Sequence, residues 1–366
     1  MKEKTKMPAY NDTTVEIYEI PDFNKQPEGI PWALDSMTCA HHLGIRNRTN
    51  TNLVNERDTL YQESFIPKKS GGKRSIHAPS SVLKFVQRRV LKRYFDPIPY
   101  PEHITAYVRK LSTRNAVSKH AGKPLLIVLD LQDFFTTTRR TWVRKALKEE
   151  FGLPQNIAEI LSDLTTVKMR FPYGERYRVP QGAPTSGAVC NWVAYNRIDR
   201  PIIKLCEKYD MYYTRYADDL AFSCAKRLGK AETNKFIREI SAIIETGGYR
   251  VNRSKTRVTR AGRQQRLLGM TINEKPNIMR YHYRKLRAQI NNCKWRGFEE
   301  VAKATGLENG VRLRSRIEGT LSYYWMINPE KTTKLKIKYK EALECQNITP
   351  PAYLQDQNQE EPGATT

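Results

Sequence analysis

The stretch that decides the fold is MYYTRYADDLAFSC, residues 211–224. Apolar and aromatic residues flank the acidic pair Asp218 and Asp219 on both sides, which predicts two short strands joined by a tight turn. Because side chains alternate across a strand, both carboxylates cannot point equally well at one spot. We expect Asp218 to bind a cation directly and Asp219 to lie more peripherally. An Asp-Asp pair can also be an ordinary hairpin turn, so both interpretations stay open for this stretch alone.

A second stretch, PLLIVLDLQDFF (124–135), is a continuous apolar run that ends in acidic residues. This pattern predicts a buried central strand that delivers Asp130 at its end. Nucleotidyl transfer uses divalent ions held about 3.5–4 Å apart by shared carboxylates. Hard oxygen ligands favour Mg²⁺. Asp130 and Asp218 are therefore candidate ligands of a catalytic magnesium site.

The chain is strongly basic, with 63 Lys and Arg against 38 Asp and Glu in 366 residues, a net charge of +25. Residues 251–345 hold 22 Lys and Arg against 8 Asp and Glu, a net charge of +14. Such a balance favours a polyanionic partner, above all nucleic acid. A solvated basic surface and attraction to acidic lipid remain alternatives on charge alone.

The six cysteines form no CxxC pair, and Cys39, close to His41 and His42, has no second ligand pair at zinc-finger spacing. They indicate reduced, mostly buried thiols in a cytosolic protein. The sequence has no signal-peptide core and no stretch approaching about 18 apolar residues. We therefore predict a cytoplasmic protein without membrane spans.

Residues 61–79, YQESFIPKKSGGKRSIHAP, predict a β-hairpin whose SGG turn carries a group of cations. They are Lys68, Lys69, Lys73 and Arg74. Four cations around a glycine turn can clamp phosphates. A solvated hairpin tip is the alternative.

Six motifs resemble, in order and spacing, the successive motifs of reverse transcriptases. They are KKSGGKRSIHAP (68–79), LDLQDFF (129–135), VPQGAPTSGAVCNW (179–192), YADDL (216–220), NRSKT (252–256) and LLG (267–269). The series is most similar to bacterial retron reverse transcriptases, within the group II intron-like superfamily. Two retron hallmarks are altered. NAVSKH places His120 one residue later than usual, and Leu267, Leu268 and Gly269 replace Val-Thr-Gly. The resemblance indicates a divergent retron enzyme.

The resemblance implies roles at the catalytic positions. Asp130, Asp218 and Asp219 match the carboxylates that bind two Mg²⁺ ions, and the backbone of Leu131 matches a further metal and nucleotide contact. Lys255 matches a lysine that can protonate the leaving pyrophosphate.

The resemblance also implies a nucleotide site. Phe135 matches the bulky residue that excludes a ribose 2′-hydroxyl, whereas its neighbour Phe134 suits the core better. Gln181 and Gly182 match a loop over the incoming nucleotide, where glycine permits close backbone approach. Lys69 and Arg74 match cations that hold the triphosphate. An ordinary surface position is the alternative for Gln181 and for each cation, Lys255 included.

The implied fold is an α+β right-hand polymerase. Its palm, an antiparallel sheet plus helices, comprises 125–140 and 179–275, its fingers 46–124 and 141–178, and its helical thumb 276–345. Residues 1–45 form an N-terminal extension with a little helix around 32–44, and 346–366, without Lys or Arg, form a disordered tail.

The thumb is expected to bind RNA through cations and aromatic residues. They are Arg280, Arg284, Lys285, Arg287, Lys294, Arg296, Tyr281, Tyr283 and Trp295. Cations can hold the RNA backbone while aromatic rings stack on loop bases. A solvated helix face with its aromatic residues turned to the core is the alternative for any one of them.

For function, the resemblance implies an RNA-directed DNA polymerase that uses dNTPs. Its template and primer would be a cognate noncoding RNA, extended from the 2′-hydroxyl of an internal guanosine into branched RNA-linked DNA. Retron enzymes act in anti-phage defence together with an effector. Here the effector is expected to be a separate polypeptide, which could form a higher-order oligomer with this chain. The alternatives are a group II intron-like or phage-exclusion reverse transcriptase with another primer, and an inactive RNA-binding protein with a polymerase fold.

Overall fold

The structure, a computed structural model, describes residues 36–68 and 71–354. Lys69 and the largest parts of the predicted N-terminal extension and C-terminal tail lie outside these described residues. The chain divides into two compact units. Unit one comprises the residues up to Ser112 together with Ile127–Val258, and unit two comprises Thr113–Leu126 and the residues from Thr259 onward. The predicted thumb lies within unit two, whereas the boundary between fingers and palm stays a prediction.

Helices and strands occupy separate segments, which confirms the α+β class. The helices are α1 (Ser36–Leu43), α2 (Asn47–Asn55), α3 (Ser81–Val90), α4 (Thr113–Ser118), α5 (Phe134–Thr137), α6 (Arg140–Phe151), α7 (Gln155–Leu164), α8 (Ser186–Ala194), α9 (Arg200–Tyr209), α10 (Lys230–Thr246), α11 (Arg280–Arg296), α12 (Phe298–Ala304), α13 (Gly310–Ile327) and α14 (Pro329–Cys345). The strands are β1 (Tyr61–Pro67), β2 (Lys73–Pro79), β3 (Leu125–Asp130), β4 (Val167–Phe171), β5 (Gly174–Arg178), β6 (Tyr212–Tyr216), β7 (Asp219–Cys224), β8 (Arg257–Arg260), β9 (Arg266–Leu267), β10 (Met270–Thr271) and β11 (Asn277–Ile278). π-Helical turns at Leu91–Phe95 and Tyr195–Asp199 extend α3 and α8.

A four-stranded sheet with the order β6-β7-β3-β8 carries the predicted catalytic residues. All six residues of β3 are buried, as expected for the continuous apolar run LLIVLD. Helix α10 packs its Phe236 ring edge-on against Phe222 of β7, with 5.4 Å between the centroids. The helix ends at Thr246, directly before Gly247 and Gly248, as the glycine pair predicts. The sheet is thus anchored by its apolar residues, which leaves its strand ends to present acidic ones.

Two antiparallel hairpins complete unit one. Strands β1 and β2 pair from Tyr61↔Pro79 to Pro67↔Lys73, which confirms the hairpin predicted for 61–79. Strands β4 and β5 pair from Val167↔Arg178 to Phe171↔Gly174 and form a second hairpin.

Unit two contains α11–α14 and a small sheet with the order β11-β10-β9. Helix α11 contacts α12 and α14, and α13 contacts both of them as well. Leu286, Ile290 and Cys293 are buried on one face of α11. This spacing is typical of a helix that buries one stripe. Within the described ranges, no helix is long and apolar enough to cross a membrane.

The first part of the predicted disordered tail is folded, so this prediction is corrected for residues 346–354. The Ile348 N–H donates to the Leu343 carbonyl over 2.9 Å, and Ala352–Leu354 forms a 3-10 turn that contacts α14. Leu354 is fully buried. Burial of this apolar side chain outweighs the polar composition around it. The six cysteines are free thiols, and all but Cys345 are buried, as predicted.

Candidate active site

The acidic pair lies on the hairpin of β6 and β7. Tyr216 pairs with Asp219, so Ala217 and Asp218 form a two-residue turn. Ala217 is only 4% exposed and has a φ of 56°. This left-handed conformation costs an alanine about 1–2 kcal/mol. The strained turn places Asp218 at the tip of the hairpin and Asp219 at the start of β7.

Main-chain hydrogen bonds fix Asp130, the last residue of β3, beside this turn. The Leu131 N–H donates to the Asp218 carbonyl over 2.9 Å, and the Asn252 N–H donates to the Asp130 carbonyl over 2.7 Å. Leu131 also bridges Val251. The strand end, the hairpin turn and the NRSKT segment therefore meet at one place. A metal contact through the Leu131 backbone stays a prediction.

The three carboxylates of Asp130, Asp218 and Asp219, here called the carboxylate cluster, lie close enough for their charges to interact. Burial, then the charges of Asp218 and Asp130, raise the pKa of Asp219 to about 6. Burial is also the main cause that raises the pKa of Asp218, and the Asp130 charge adds to it. Lys255 Nζ donates to Asp130 Oδ2 over 2.9 Å, and this hydrogen bond raises the pKa of Lys255. One ammonium thus contacts one of three carboxylates.

This donor set fits a hard divalent cation by its chemistry. Repulsion between the carboxylates adds to burial in raising the pKa values of Asp218 and Asp219, and a bound cation would offset this repulsion. In the described part of the chain, no three His, Cys, Asp or Glu side chains are grouped closely enough to hold a metal ion. The oxygens are therefore present near one another without forming a coordination sphere.

A buried ion pair lies on the same sheet, and sequence reasoning missed it. Arg215 Nη2 donates to Asp199 Oδ2 over 2.7 Å, and both side chains have no exposed surface. Arg215 Nη1 also donates to Asn191 Oδ1 over 2.9 Å. Tyr213 donates to Asp199 Oδ1 over 2.8 Å, and His103 Nε2 lies 3.3 Å from Asp199 Oδ2.

Burial alone would raise the pKa of Asp199, but the Arg215 charge and these hydrogen bonds hold it well below its usual range. The network fixes β6 against α8 and the π-helical turn that follows it, and so supports the hairpin that carries Asp218. Its signal in the sequence is Arg215 inside the aromatic stretch YYTRY (212–216) and Asp199 at the end of a largely apolar helical stretch.

The predicted nucleotide residue Phe135 is half-buried, whereas Phe134 is buried in the core, as expected for that neighbour. The ring of Tyr107 stands edge-on to Phe135 at 6.1 Å between the centroids. A Cβ on Gly187 would lie 2.3 Å from Tyr107 Cγ, so this ring covers the start of α8. Tyr107 was not among the predicted residues, and its φ of 59° is the kind of local strain that sequence does not reveal.

The loop with Gln181 and Gly182 packs directly on strand β2. The His77 N–H donates to the Gln181 carbonyl over 2.8 Å. Gly182 has a φ of 115°, and a Cβ there would lie 2.9 Å from Ile76 Cγ2. Glycine is thus needed for contact with β2 itself. The same strand carries Arg74, whose charge lowers the pKa of Asp218 and opposes the effect of burial.

The predicted RNA-binding residues lie on α11 in unit two. Tyr281 and Trp295 are 68% and 74% exposed, so neither ring is turned to the core. Lys294 pairs with Glu341 at 3.0 Å, and Arg296 pairs with Glu300. The remaining predicted cations are exposed; they are Arg280, Arg284, Lys285 and Arg287. Tyr283 is half-buried, and RNA binding by this set stays a prediction.

The two altered hallmarks also lie in unit two. His120 is fully buried, and burial, then the charges of Lys119 and Lys123, lowers its pKa to about 3. Leu268 and Gly269 have φ values of 46° and 79° and form the turn between β9 and β10.

Residues 66–272 match the family described as reverse transcriptase (RNA-dependent DNA polymerase), a match that covers more than half of the chain. The chain belongs to the reverse transcriptase family. The family confirms the predicted polymerase fold class and makes the chain an RNA-directed DNA polymerase. Reverse transcriptases of this family generally use divalent metal ions.

The similar proteins are retron reverse transcriptases, which confirms the predicted branch. Retron Mx65 reverse transcriptase from Myxococcus xanthus is 33% identical over 310 residues, 81% of this chain and 68% of that protein. Retron Mx162 reverse transcriptase, from the same organism, is 32% identical over 260 residues. The match covers 64% of this chain and 53% of the Mx162 protein. Retron Ec86 reverse transcriptase from Escherichia coli is 28% identical over 66% of this chain and 72% of its own.

A solved structure of telomerase from Candida albicans with a telomeric RNA fragment is a more distant likeness. Its TM-score is 0.42 at 14% identity, over 78% of this chain and 62% of that chain.

Proposed function

We propose that this reverse transcriptase copies a cognate noncoding RNA into branched, RNA-linked single-stranded DNA, primed from an internal 2′-hydroxyl. The observation that carries the catalytic part is the carboxylate cluster, which lies at the end of β3 and on the β6–β7 turn. Lys255 contacts Asp130, and burial together with neighbouring carboxylates raises the pKa values of Asp218 and Asp219. This arrangement suits polymerase chemistry, which needs oxygen ligands around divalent ions.

Asp130, Asp218 and Asp219 would hold two Mg²⁺ ions, with the backbone of Leu131 as a further contact. When bound, such ions activate the attacking hydroxyl and neutralise the leaving pyrophosphate. Lys255 carries the proton that such a role needs, since an ordinary lysine is already protonated at neutral pH. Its position beside Asp130 supports a role as proton donor to the leaving pyrophosphate.

The nucleotide would bind beside Phe135, with the Gln181–Gly182 loop, which packs on β2, lying over it. Arg74 and Lys69 would hold the triphosphate, and Phe135 would exclude the ribose 2′-hydroxyl. Support for this placement comes from the contact between the loop and β2 and from the edge-on packing of Phe135 with Tyr107. Tyr107 would hold the Phe135 ring in position.

Template and primer RNA would contact α11. Tyr281 and Trp295 are exposed and stand 14 residues apart, about four helical turns, so both rings face the same side. Exposed aromatic rings beside cations suit single-stranded RNA loops.

The retron assignment is distinguished from a group II intron-like or phage-exclusion enzyme by the primer. The test is to purify the protein from its host and sequence the nucleic acid that accompanies it. We expect one discrete RNA joined to DNA through a 2′ branch. DNA extended from an unrelated 3′ end, or from the protein itself, would favour the alternative enzymes. An inactive RNA-binding protein would carry RNA without any attached DNA.

We further propose a cytoplasmic role in anti-phage defence, together with a separate effector protein in a possible higher-order oligomer. This proposal rests on the retron family alone. Plaque counts on host cells that carry the wild-type chain or Asp218→Asn test it: protection should disappear with the variant, and equal protection would contradict the need for DNA synthesis.

A further inference from the structure

A cavity of about 490 Å³ lies in unit one, between the first turn of α6 and strand β5. It is lined by Arg139, Arg140, Thr141, Arg176, Tyr177 and Arg178. Four of the six lining residues are arginines, and none belongs to the carboxylate cluster or to the predicted RNA-binding set. The backbones of Arg139 and Arg178 form an antiparallel bridge, which holds these two residues side by side.

Most of this positive charge has no carboxylate partner. Arg140 donates to Asp163 Oδ2 over 2.8 Å. Among the described residues, no carboxylate lies within 4.0 Å of the guanidinium groups of Arg139, Arg176 or Arg178. The buried Arg178 Nε–H has no hydrogen-bond acceptor in the structure. Burial, then the charges of Arg139 and Arg176, lowers the pKa of Arg178. Like charges crowded in this way gain most from a bound anion.

Residues outside the cavity hold its wall in place through hydrogen bonds and ion pairs. Tyr177 donates to Asp58 Oδ2 over 3.0 Å, and the Arg57 guanidinium lies 4.3 Å above the Tyr177 ring. Arg57 also pairs with Asp163 at 2.9 Å, so Asp163 contacts both Arg57 and Arg140. The acidic residues nearby thus fix the wall and do not neutralise Arg139, Arg176 or Arg178, although Arg139 lies over the Trp142 ring and Arg178 over the Phe171 ring.

The same hairpin presents an aromatic ring next to the cavity strand. Tyr173, at the tip between β4 and β5, is 92% exposed. Tyr173 does not line the cavity but stands three residues before Arg176, about 10 Å along the extended chain. Guanidinium groups that can form paired hydrogen bonds to phosphate oxygens, with an exposed ring at this distance that can stack on a base, match single-stranded nucleic acid. An acidic peptide would use the arginines but would gain little from the ring.

We propose that the cavity binds the phosphodiester backbone of an RNA strand at a second site, separate from the catalytic cluster, with a base stacked on Tyr173. This inference rests on the proposed use of a noncoding RNA. A second site of this kind would hold a part of that RNA that is not being copied.

The test compares two double variants with equal loss of charge. Arg139→Gln with Arg178→Gln removes two cavity cations, whereas Lys145→Gln with Lys148→Gln removes two exposed cations from α6 outside the cavity. The probe is a fluorescein-labelled single-stranded RNA of mixed sequence, titrated by anisotropy between 50 and 200 mM NaCl. For the cavity variant we expect weaker binding and a salt slope lower by about 1.4, since each single-strand phosphate contact contributes about 0.7. The matched variant should keep the wild-type slope.

Equal slopes and affinities for the two variants would overturn the proposal. A cavity variant that binds the RNA as the wild type does, but loses binding to a labelled acidic peptide, would also overturn it.

Tyr173→Ala is a second variant that carries no risk to the fold, because the ring is exposed. It should weaken RNA binding by about fivefold or more at an unchanged salt slope, as expected for one lost base stack. Unchanged affinity would remove the stacking part of the proposal. Primer extension on a short preformed primer–template distinguishes failure of the proposed RNA-binding cavity from failure of the proposed polymerase function. The cavity variant should extend it at the wild-type rate, whereas failure of the wild type to make DNA would contradict the proposed function instead.

Discussion

Unit one contains two sites of buried or partly buried carboxylates, Asp199 and the carboxylate cluster, and their surroundings differ. Asp199 is fully buried, paired with Arg215 and hydrogen-bonded by Tyr213. Its pKa is lowered. The carboxylate cluster is less deeply buried and contacts one ammonium, and the pKa values of Asp218 and Asp219 are raised. The two sites meet at the β6–β7 hairpin, where Arg215 on β6 stands three residues before Asp218 in the turn.

The two sites therefore differ in their expected roles: the Asp199 network stabilises the fold, and the carboxylate cluster is suited to catalysis. The protein neutralises Asp199 with its own arginine, and the resulting network fixes the hairpin. It gives the carboxylate cluster one direct ammonium contact, and a divalent cation can offset the remaining repulsion between the carboxylates. Removing a partner from the first site should therefore affect stability, whereas removing a carboxylate from the second should affect catalysis.

Replacing Arg215 with methionine should produce the largest loss of stability. Asp199 would become a buried charge without its main partner, which costs about 3–5 kcal/mol. The measurement is the free energy of unfolding in urea. Arg238→Met, which removes an exposed arginine from α10, is the matched control and should change this value by less than about 0.5 kcal/mol. If Arg215→Met also changed the free energy of unfolding by less than about 0.5 kcal/mol, the Asp199 network would not have the structural role that distinguishes it from the carboxylate cluster.

Lys255 tests what the single ammonium contributes to the carboxylate cluster. As a proton donor to pyrophosphate, it should be worth about 100-fold in the rate of nucleotide addition, so Lys255→Met should slow single-turnover incorporation by that factor. Lys255→Arg keeps the positive charge beside Asp130 but transfers a proton poorly. A wild-type rate for the arginine variant would show that charge alone is sufficient.

His120 adds a third case, a buried group that is kept uncharged. Its folded pKa of about 3 lies below the unfolded value of about 6.5. The unfolded chain therefore binds a proton that the folded chain does not, and stability is present above pH 6.5 and lost as the pH falls towards 3. Between pH 7.5 and 5.5 the wild type should lose about 1.4 kcal/mol more than His120→Asn in urea unfolding. The exposed His282→Asn should behave like the wild type, and identical losses in all three proteins would contradict this account.

Much of the candidate site could be predicted from sequence because its signals are local. A buried apolar strand that ends in Asp130, and an acidic pair between two aromatic stretches, each identify an element and its end. The ordered motifs then predict that these ends belong to one site. Gly182 was predicted to allow close approach to a nucleotide, which stays a prediction; in the structure it lies against Ile76 and His77 of β2.

Other parts depend on contacts between residues distant in sequence. Arg215 and Asp199 are 16 residues apart, and their pairing depends on how β6 packs against the helix. The contact of Tyr107 with Gly187, and the gathering of Arg139 with Arg176 and Arg178, likewise have no local pattern. The tail prediction relied on composition, which does not show that Leu354 finds an apolar site.

The most direct test of the account is DNA synthesis on an RNA template with Mg²⁺, comparing the wild type with Asp218→Asn. The variant keeps the shape of the side chain but removes a carboxylate from the cluster. We predict that nucleotide incorporation falls by at least about a thousandfold, since metal binding contributes several kcal/mol to the transition state. The unfolding free energy should stay close to that of the wild type, because this carboxylate has no buried arginine partner. Incorporation within a few fold of the wild-type rate would contradict the claim that the carboxylate cluster is the catalytic metal site.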